Sequence, residues 1–211
     1  MQDIAPVAGI GLDPLCMEVL PSFPAKTVTE FISYAKTNPR KINYASSGNG
    51  TAQHIAAELF KVMADVEIVH VSYRGAGQAL TDVLGGQVQM WFAPLPVTIE
   101  YVRTGRLRAL AVTTATRSAA LPEIPALADF VPGYEASAWY GIGAPKNTPV
   151  EIIAKLNVEI NAGLADPKIK ARLAELGSVV LGGSPANFGK LIANETEKWG
   201  KLIRAANIKV E

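Results

Sequence analysis

The chain has 211 residues, of which 49% are hydrophobic and 18% are charged; this composition is typical of a packed globular protein and argues against long disordered tails. Twenty basic and nineteen acidic residues leave a net charge of +1, so overall charge attracts the surface neither to nucleic acid nor to anionic lipid. The single cysteine, Cys16, excludes an intrachain disulfide and a cysteine-based metal cage, and it is interpreted as a small buried apolar residue.

No apolar run reaches the ~18 to 20 residues of a membrane span, and the first residues do not begin a basic and then apolar signal peptide. From the sequence we therefore expect no direct membrane insertion and no targeting segment. Because the net charge is close to zero, any binding of anions must depend on a local site.

The first predicted element is a helix that follows a capping box formed by Thr27 and Glu30 and cannot continue past Pro39. Strands and helices then alternate. The predicted strands are 41–46, 67–73, 88–92 and 107–113, and the predicted helices between them are 52–63, 78–84 and 97–104. This alternation is typical of a mainly parallel sheet with helices on both faces. In helix 52–63 the apolar stripe is formed by Ile55, Leu59, Val62 and Met63 at three- and four-residue steps.

The composition and the pattern of predicted elements change after residue 113. Residues 114–134 are rich in Ala, Pro and Ser and predict an irregular connection with at most one helical turn. A strand at 139–144 and three helices follow, at 150–164, 168–176 and 187–206. One face of the last helix carries Phe188, Leu191, Ile192, Trp199, Leu202 and Ile203. This apolar face must pack against another part of the protein or against a partner. Three amphipathic helices with one strand predict an incomplete lobe.

The main candidate site is the tract "YASSGNGTAQH", residues 44–54, which joins a predicted strand to a predicted helix. Ligands of open α/β sheets bind at such carboxyl ends of strands, and the first amides of a helix can bind an anion. Gly48 and Gly50 would let the backbone approach a ligand closely, while Ser46, Ser47 and Thr51 supply hydroxyl donors. This chemistry suits a carboxylate or a phosphate.

Other chemistries fit the tract less well. A P-loop needs a lysine that the tract lacks, and no G-x-G-x-x-G occurs. A serine hydrolase would need G-x-S-x-G and could use only His54 or His70 as its base. Two histidines without a neighbouring acidic cluster predict no metal site. His54 is compatible both with anion binding and with local packing, whereas His70 is interpreted as a structural residue.

Two further loops follow predicted strands in the same way. In Tyr73-Arg74-Gly75-Ala76-Gly77, Arg74 is either a solvated surface cation or a charge that biases a cleft toward anions. The third loop is Phe92-Ala93-Pro94-Leu95. Three loops at one edge of a sheet predict a binding crevice.

Four segments taken together resemble the substrate-binding proteins of tripartite tricarboxylate transporters, also called Bug proteins. The segments are "INYASSGNGTAQHIAAELF", "VHVSYRGAGQALTDVLGGQVQMWF", "GRLRALAVTTATRSAALPEIPALADFVPGYEASAWYGIGAPKNTPVEIIAKLNVEI" and "WGKLIRAANIKVE". The resemblance covers essentially the whole chain, and the ordered series is more specific than any one segment.

This resemblance implies an α/β, periplasmic-binding-protein-like fold of type II, with two lobes that close on a ligand. It implies a periplasmic protein, monomeric when full length, that captures small organic acids (di- or tricarboxylates, amino-acid-like or aromatic acids) for membrane permease subunits. It implies neither catalysis nor a cofactor. The ligand contacts that it implies are Ser46, Ser47, Gly48, Asn49, Gly50, Thr51, His54, Tyr73, Arg74, Gly75, Ala93, Trp139 and Tyr140.

The chain differs from the family at its amino-terminal end. Family members begin with a strand and a Gly-rich loop, whereas residues 3–8 here match a segment well inside such proteins. We therefore expect one complete lobe, residues 12–133, and a truncated lobe made of residues 1–11 and 134–211 with exposed apolar helix faces. Either a fragment or a degenerate paralogue would explain this, and we favour the fragment.

Two other functions stay open at the level of sequence. A closing lobe could pass ligand occupancy to a signalling partner. An enzyme acting on a small acid or ester would need a nucleophile with a base, or a metal cluster, and neither is visible in the sequence.

Overall fold

The computed structural model describes residues 3–205, which form two β-sheets and their covering helices. The strands are β1 (Ile4–Val19), β2 (Asn43–Ser46), β3 (Val69–Ser72), β4 (Met90–Pro94), β5 (Arg108–Val112), β6 (Ser137–Pro145) and β7 (Val179–Gly182). The helices are α1 (Val28–Thr37), α2 (Ala52–Ala64), α3 (Ala76–Leu84), α4 (Leu95–Arg103), α5 (Val150–Ala165), α6 (Pro167–Glu175) and α7 (Pro185–Ala205). None of the described helices is long and apolar enough to cross a membrane.

The larger sheet has the strand order β3-β2-β4-β1-β5. Strand β2 is parallel to β3 and β4, whereas β1 is antiparallel to β4 and β5. Four of its strands therefore share one direction, which confirms the mainly parallel sheet. The carboxyl ends of β2 and β4 lie side by side, so the segments that follow them can contribute to one site.

Strand β1 passes through both sheets and was not predicted. Its first part pairs with β6 and β7, and its residues from Leu15 to Val19 pair with β4 and β5. Pro6 and Pro14, with nearby glycines, conceal the strand in the sequence because proline and glycine disfavour strand interiors. The register shifts that follow Pro6 and Gly9 show that local irregularities accommodate these residues.

The smaller sheet consists of β6, β1 and β7, with α5, α6 and α7 packed beside it. The expectation of a single strand beside these helices was wrong, because β1 and the short β7 also belong here. The Asn157 side chain of α5 donates to the carbonyls of Val7 and Gly183, both at 2.8 Å, and so ties the helix to the sheet.

The helices of this part expose large apolar side chains, as expected. The exposed fraction is 77% for Val150 and 63% for Val158. The division into lobes at residues 12–133 stays a prediction, and β1 runs through residue 12 without a break.

Most of the other predicted elements are confirmed with shifted ends. The capping box is formed, since Thr27 Oγ1 accepts from the Glu30 amide at 3.2 Å. Residues 114–134 contain one helical turn, Leu127–Asp129, and Cys16 is fully buried. The predicted end of the last helix at Ala206 and the end of the motif "WGKLIRAANIKVE" lie outside the described residues.

The apolar stripe predicted for α2 is confirmed only in part: Ile55 is buried and Leu59 packs against the core of the larger sheet, but Val62 and Met63 are exposed. Val62 is 64% exposed, whereas Ala56, Ala57 and Phe60 are fully buried against the larger sheet. Small alanines let the helix approach the sheet closely, and Tyr134 donates its hydroxyl to the Ala56 carbonyl at 2.8 Å. Because alanine carries a weak hydrophobic signal, the pattern favoured the larger side chains, of which Val62 and Met63 lie on the exposed face.

Candidate functional site

A cavity of about 420 Å³ lies between the start of α2 and strand β6. This volume is in the range of small-molecule sites. Its polar lining residues are Ser47, Thr51, Gln53 and Ser137, and its other lining residues are Ala52, Ile55, Pro94, Ala136, Ala138, Trp139, Tyr140 and Trp199. These described lining residues include no acidic or basic side chain, so an anion would have to be held by neutral donors.

The loop after β2 is shaped by two glycines and by its own hydroxyls. Gly48 and Gly50 have φ values of +136° and +74°, which glycine adopts without strain. Ser46 Oγ accepts from the Gly48 amide at 3.2 Å, and Thr51 Oγ1 donates to the Gly48 carbonyl at 2.8 Å. Ser46 and Thr51 thus hold the loop in shape, while Ser47 and Thr51 reach the cavity.

Helix α2 begins at the cavity with free amides. Thr51 is the residue before the helix, but its hydroxyl is used by Gly48 and no side chain caps the described helix. The first intrahelical bond runs from Ile55 to Thr51, so the amides of Ala52, Gln53 and His54 have no intrahelical acceptor. They lie at the positive end of the helix dipole, and an anion in the cavity could accept from them.

A pair of stacked histidines supports the loop from behind. The rings of His54 and His70 have centroids 3.8 Å apart, and His54 Nδ1 accepts from the Gly50 amide at 3.1 Å. Burial lowers the pKa of both imidazoles, and His54 lowers that of His70 further, to about 4. His54 therefore packs locally, outside the cavity lining, and His70 has the structural position that the sequence predicted.

The structure does not favour a hydrolase at this loop. Ser46 Oγ lies 2.6 Å from His70 Nε2, which is the contact that a nucleophile and its base would make. Ser46 is fully buried, however, so a substrate could not reach its hydroxyl.

The opposite wall is aromatic. Trp139 and Tyr140 come from β6, and Trp199 comes from α7. Trp199 is oriented by its indole N–H, which donates to Glu195 at 2.6 Å, and Trp139 packs edge-on against Phe188. These rings offer an apolar surface to the body of a ligand.

Only part of the predicted set lines the cavity: Ser47, Thr51, Trp139 and Tyr140. Tyr73, Arg74 and Gly75 follow β3, the edge strand of the larger sheet, and are absent from the lining. The Tyr73 hydroxyl donates to Asp82 at 2.8 Å, Arg74 is exposed, and Ala93 is fully buried in β4.

The remaining predicted residues, Ser46, Gly48, Asn49, Gly50 and His54, belong to the loop and its support rather than to the lining. Ligand contact by any of the thirteen stays a prediction.

Gln53 is a lining residue that the sequence analysis missed. Its Oε1 accepts from the Ser47 amide and from the Trp91 indole, both at 2.8 Å. Trp91 lies on β4, so nothing local in the sequence indicates this contact. Ser137, Ile55 and Trp199 were missed for the same reason, since the fold and not the motif brings them to the cavity.

No group of three His, Cys, Asp or Glu residues that could hold a metal ion occurs within residues 3–205. The site therefore has to be understood from its amides, hydroxyls and rings.

Comparison with protein families gives one match over nearly the whole chain. The family model described as the tripartite tricarboxylate transporter family receptor matches residues 1–208. A Pseudomonas sp. (strain P51) protein from the tcbD-tcbE intergenic region is 36% identical over 204 residues, which are 96% of this chain and 61% of the relative. Protein BugT of Bordetella pertussis is 30% identical over 100% of this chain and 65% of its own length. The chain thus spans less than two thirds of these relatives.

Several solved structures are similar to this chain over nearly its whole length. Rpa4515 of R. palustris with adipate has a TM-score of 0.95 and 36% identity, and the match covers 100% of this chain and 71% of that one. The periplasmic binding protein BugD has a TM-score of 0.92 and 29% identity, over 99% and 71% of the two chains. MatC (Rpa3494) from Rhodopseudomonas palustris with bound malate has a TM-score of 0.89 and 27% identity, over 95% and 69%.

Proposed function

The chain belongs to the tripartite tricarboxylate transporter receptor family, and we propose that it captures small organic carboxylates for a transporter of that type. The proposed ligand classes are di- and tricarboxylates, amino-acid-like acids and aromatic acids. The proposal places the protein in the periplasm and assigns ligand transfer to permease subunits. It requires neither catalysis nor a cofactor.

One observation carries the proposal: the uncapped start of α2 opens into a cavity without charged side chains. The Ala52 and Gln53 amides would donate to one ligand carboxylate, and the Ser47 hydroxyl would be a further donor beside them. The ligands of two similar structures, adipate and malate, are both dicarboxylates.

The rest of the cavity suits the body of a small acid. Ile55, Trp139 and Trp199 would contact its apolar part. A second carboxylate would have to rely on Ser137, the Tyr140 hydroxyl and solvent, because no lysine or arginine lines the described cavity.

We further propose that residues 12–133 form one lobe and that residues 1–11 and 134–211 belong to the other. The cavity lies where elements of both proposed lobes meet, α2 on one side and β6 on the other. Closure of the lobes would then enclose the ligand.

The first test is a titration followed by tryptophan fluorescence, since Trp139 and Trp199 line the cavity. Adipate, malate and benzoate are the probes, and dimethyl adipate is the uncharged control. At least one acid should give a saturable change that the ester does not give. The proposal fails if no acid gives a response, or if acid and ester respond alike.

The second test removes one donor amide. Proline is tolerated at the first position of a helix, and Thr51, with ψ of 159°, already has the extended backbone that a following proline requires. Ala52→Pro should therefore keep α2 and lose one charge-assisted hydrogen bond, weakening acid binding about 10- to 100-fold. Ala76→Pro, at the first position of α3 and outside the cavity lining, is the matched control and should bind as the wild type does.

A further inference from the structure

The Gln53 side chain is held in one orientation at the cavity wall. Its Oε1 accepts from the backbone N–H of Ser47 and from the indole N–H of Trp91. Both of these groups can only donate, so the amide oxygen, and not the nitrogen, must face them. The amide nitrogen Nε2 is therefore directed away from Ser47 and Trp91.

This leaves Nε2 as a donor without an acceptor. Within residues 3–205 it forms no hydrogen bond, although Gln53 is only 5% exposed and lines the cavity. Nε2 is not among the described buried side-chain atoms that lack a partner, so it keeps some access to solvent. An acceptor placed in the cavity could therefore accept from it.

We propose that Gln53 Nε2 donates to the ligand carboxylate, beside the backbone amides of Ala52 and Gln53, and that Trp91 is the positioning residue that fixes this donor. The inference rests on the proposed function and deepens it. The site then presents donors from both backbone and side chain at one point, so it selects hydrogen-bond acceptors such as carboxylates and discriminates against ammonium groups.

The decisive variant is Gln53→Glu. It keeps an oxygen for Ser47 and Trp91 but replaces the Nε2 donors with a second oxygen, which shares the negative charge of the carboxylate. A carboxylate near a helix start is favoured by the dipole, so we expect the fold to be kept. Affinity for adipate should fall about tenfold or more, because a charge-assisted bond is replaced by repulsion.

The matched control is Gln87→Glu, which makes the same change at an exposed residue just before β4, whereas the cavity lies at the other end of that strand, at Pro94. It should bind adipate as the wild type does. Thermal melts of both variants check that they are folded.

Trp91→Phe tests the positioning role. Without the indole N–H the Gln53 amide can rotate, and affinity for adipate should fall in the wild-type background. In the Gln53→Glu background the same change should cost little, because both carboxylate oxygens are equivalent. Additive losses would indicate a merely structural role for Trp91 and would overturn this assignment.

A second measurement avoids mutation. The side-chain NH₂ resonances of Gln53 in the wild-type protein should shift when adipate is added; unchanged resonances at saturation would overturn the inference. If the wild type and Gln53→Glu bind adipate with equal affinity, the inference is overturned but the proposed function stays intact. If the wild type binds none of the acids, the proposed function fails and this inference fails with it.

Discussion

At the scale of single residues, the least expected feature is a carboxyl group in the core of the larger sheet. Glu18 on β1 is fully buried, and its Oε1 accepts from the Thr98 hydroxyl of α4 at 2.6 Å. Its Oε2 has no hydrogen-bond partner among the described residues. Burial raises the pKa of Glu18 to about 8, against the weaker opposing effect of Thr98, so the carboxyl is protonated at neutral pH.

This pKa predicts a pH-dependent stability. The folded state holds a proton that the unfolded chain releases near pH 4.5, so the Glu18 contribution is complete below pH 4.5. It is lost as the pH rises to about 8, and the free energy of unfolding falls by about 1.4 kcal/mol per pH unit at most within that window.

The measurement compares urea unfolding of the wild type and Glu18→Gln from pH 4.5 to 9. The variant cannot titrate, so its stability relative to the wild type should rise with pH across the window and level off above it. A difference that does not change with pH would contradict the prediction.

Gln53 shows where sequence reasoning ends at this scale. The tract "SSGNGTAQH" predicts a strand-to-helix loop with anion chemistry, and the loop and the helix start are observed. The orientation of the Gln53 amide depends on Trp91, 38 residues away in sequence. No local pattern contains that information.

At the scale of elements, the packing of α7 on β6 depends on one glycine. A Cβ at Gly141 would overlap the ring of Phe188, which is buried and packs edge-on against Trp139. The absence of a side chain at Gly141 is therefore what lets α7 lie close to the strand that carries the cavity wall.

Gly141→Ala should destabilise the protein by about 1–3 kcal/mol through overpacking, and it should weaken acid binding because Phe188 supports Trp139. Gly163→Ala in α5 is the matched control, since a Cβ there meets nothing within 4 Å; it should stabilise by about 0.5–1 kcal/mol. Thermal melts and the adipate titration measure both effects. Equal melting temperatures for the two variants would refute the packing role of Gly141.

The elements that sequence reasoning found are those with a clear period and clear ends. The alternation of strands and helices from β2 to β5 is confirmed; α3, for example, lies between Gly75 and Gly85. Strands β1 and β7 were missed because β1 contains prolines and β7 ends at Gly182, which Gly183 follows. Their place in the sheets is decided by long-range pairing.

At the scale of the whole molecule, burial differs between the two sheets. The larger sheet is covered on both faces by fully buried side chains, which include its own Trp91 and, from the helices, Phe31 of α1 and Phe60 of α2. Around the smaller sheet, Val150, Val158 and Val179 are more than half exposed. A buried side chain of this kind contributes about 1.5–3 kcal/mol, so the smaller sheet has much less stabilisation to lose.

We therefore expect urea to open the smaller sheet first. Amides of β6 and β7 should lose protection from hydrogen exchange at lower urea concentrations than amides of β2 and β4. The part of β1 from Leu15 to Val19 should remain protected with the larger sheet, because it pairs with β4 and β5. A single cooperative transition for all strands would contradict this order.

Bound ligand should then raise the urea midpoint of the smaller sheet, which opens first, more than the urea midpoint of the larger sheet. The cavity is lined both by α2 and by β6, so a bound acid dissociates as soon as β6 unfolds. A ligand at 100 times its Kd stabilises the binding-competent state by about 2.7 kcal/mol. Saturating adipate should therefore raise the urea midpoint of β6 and β7, bringing it closer to that of β2 and β4. Such convergence would show that the acid joins the two sheets; an equal shift of both midpoints would contradict it.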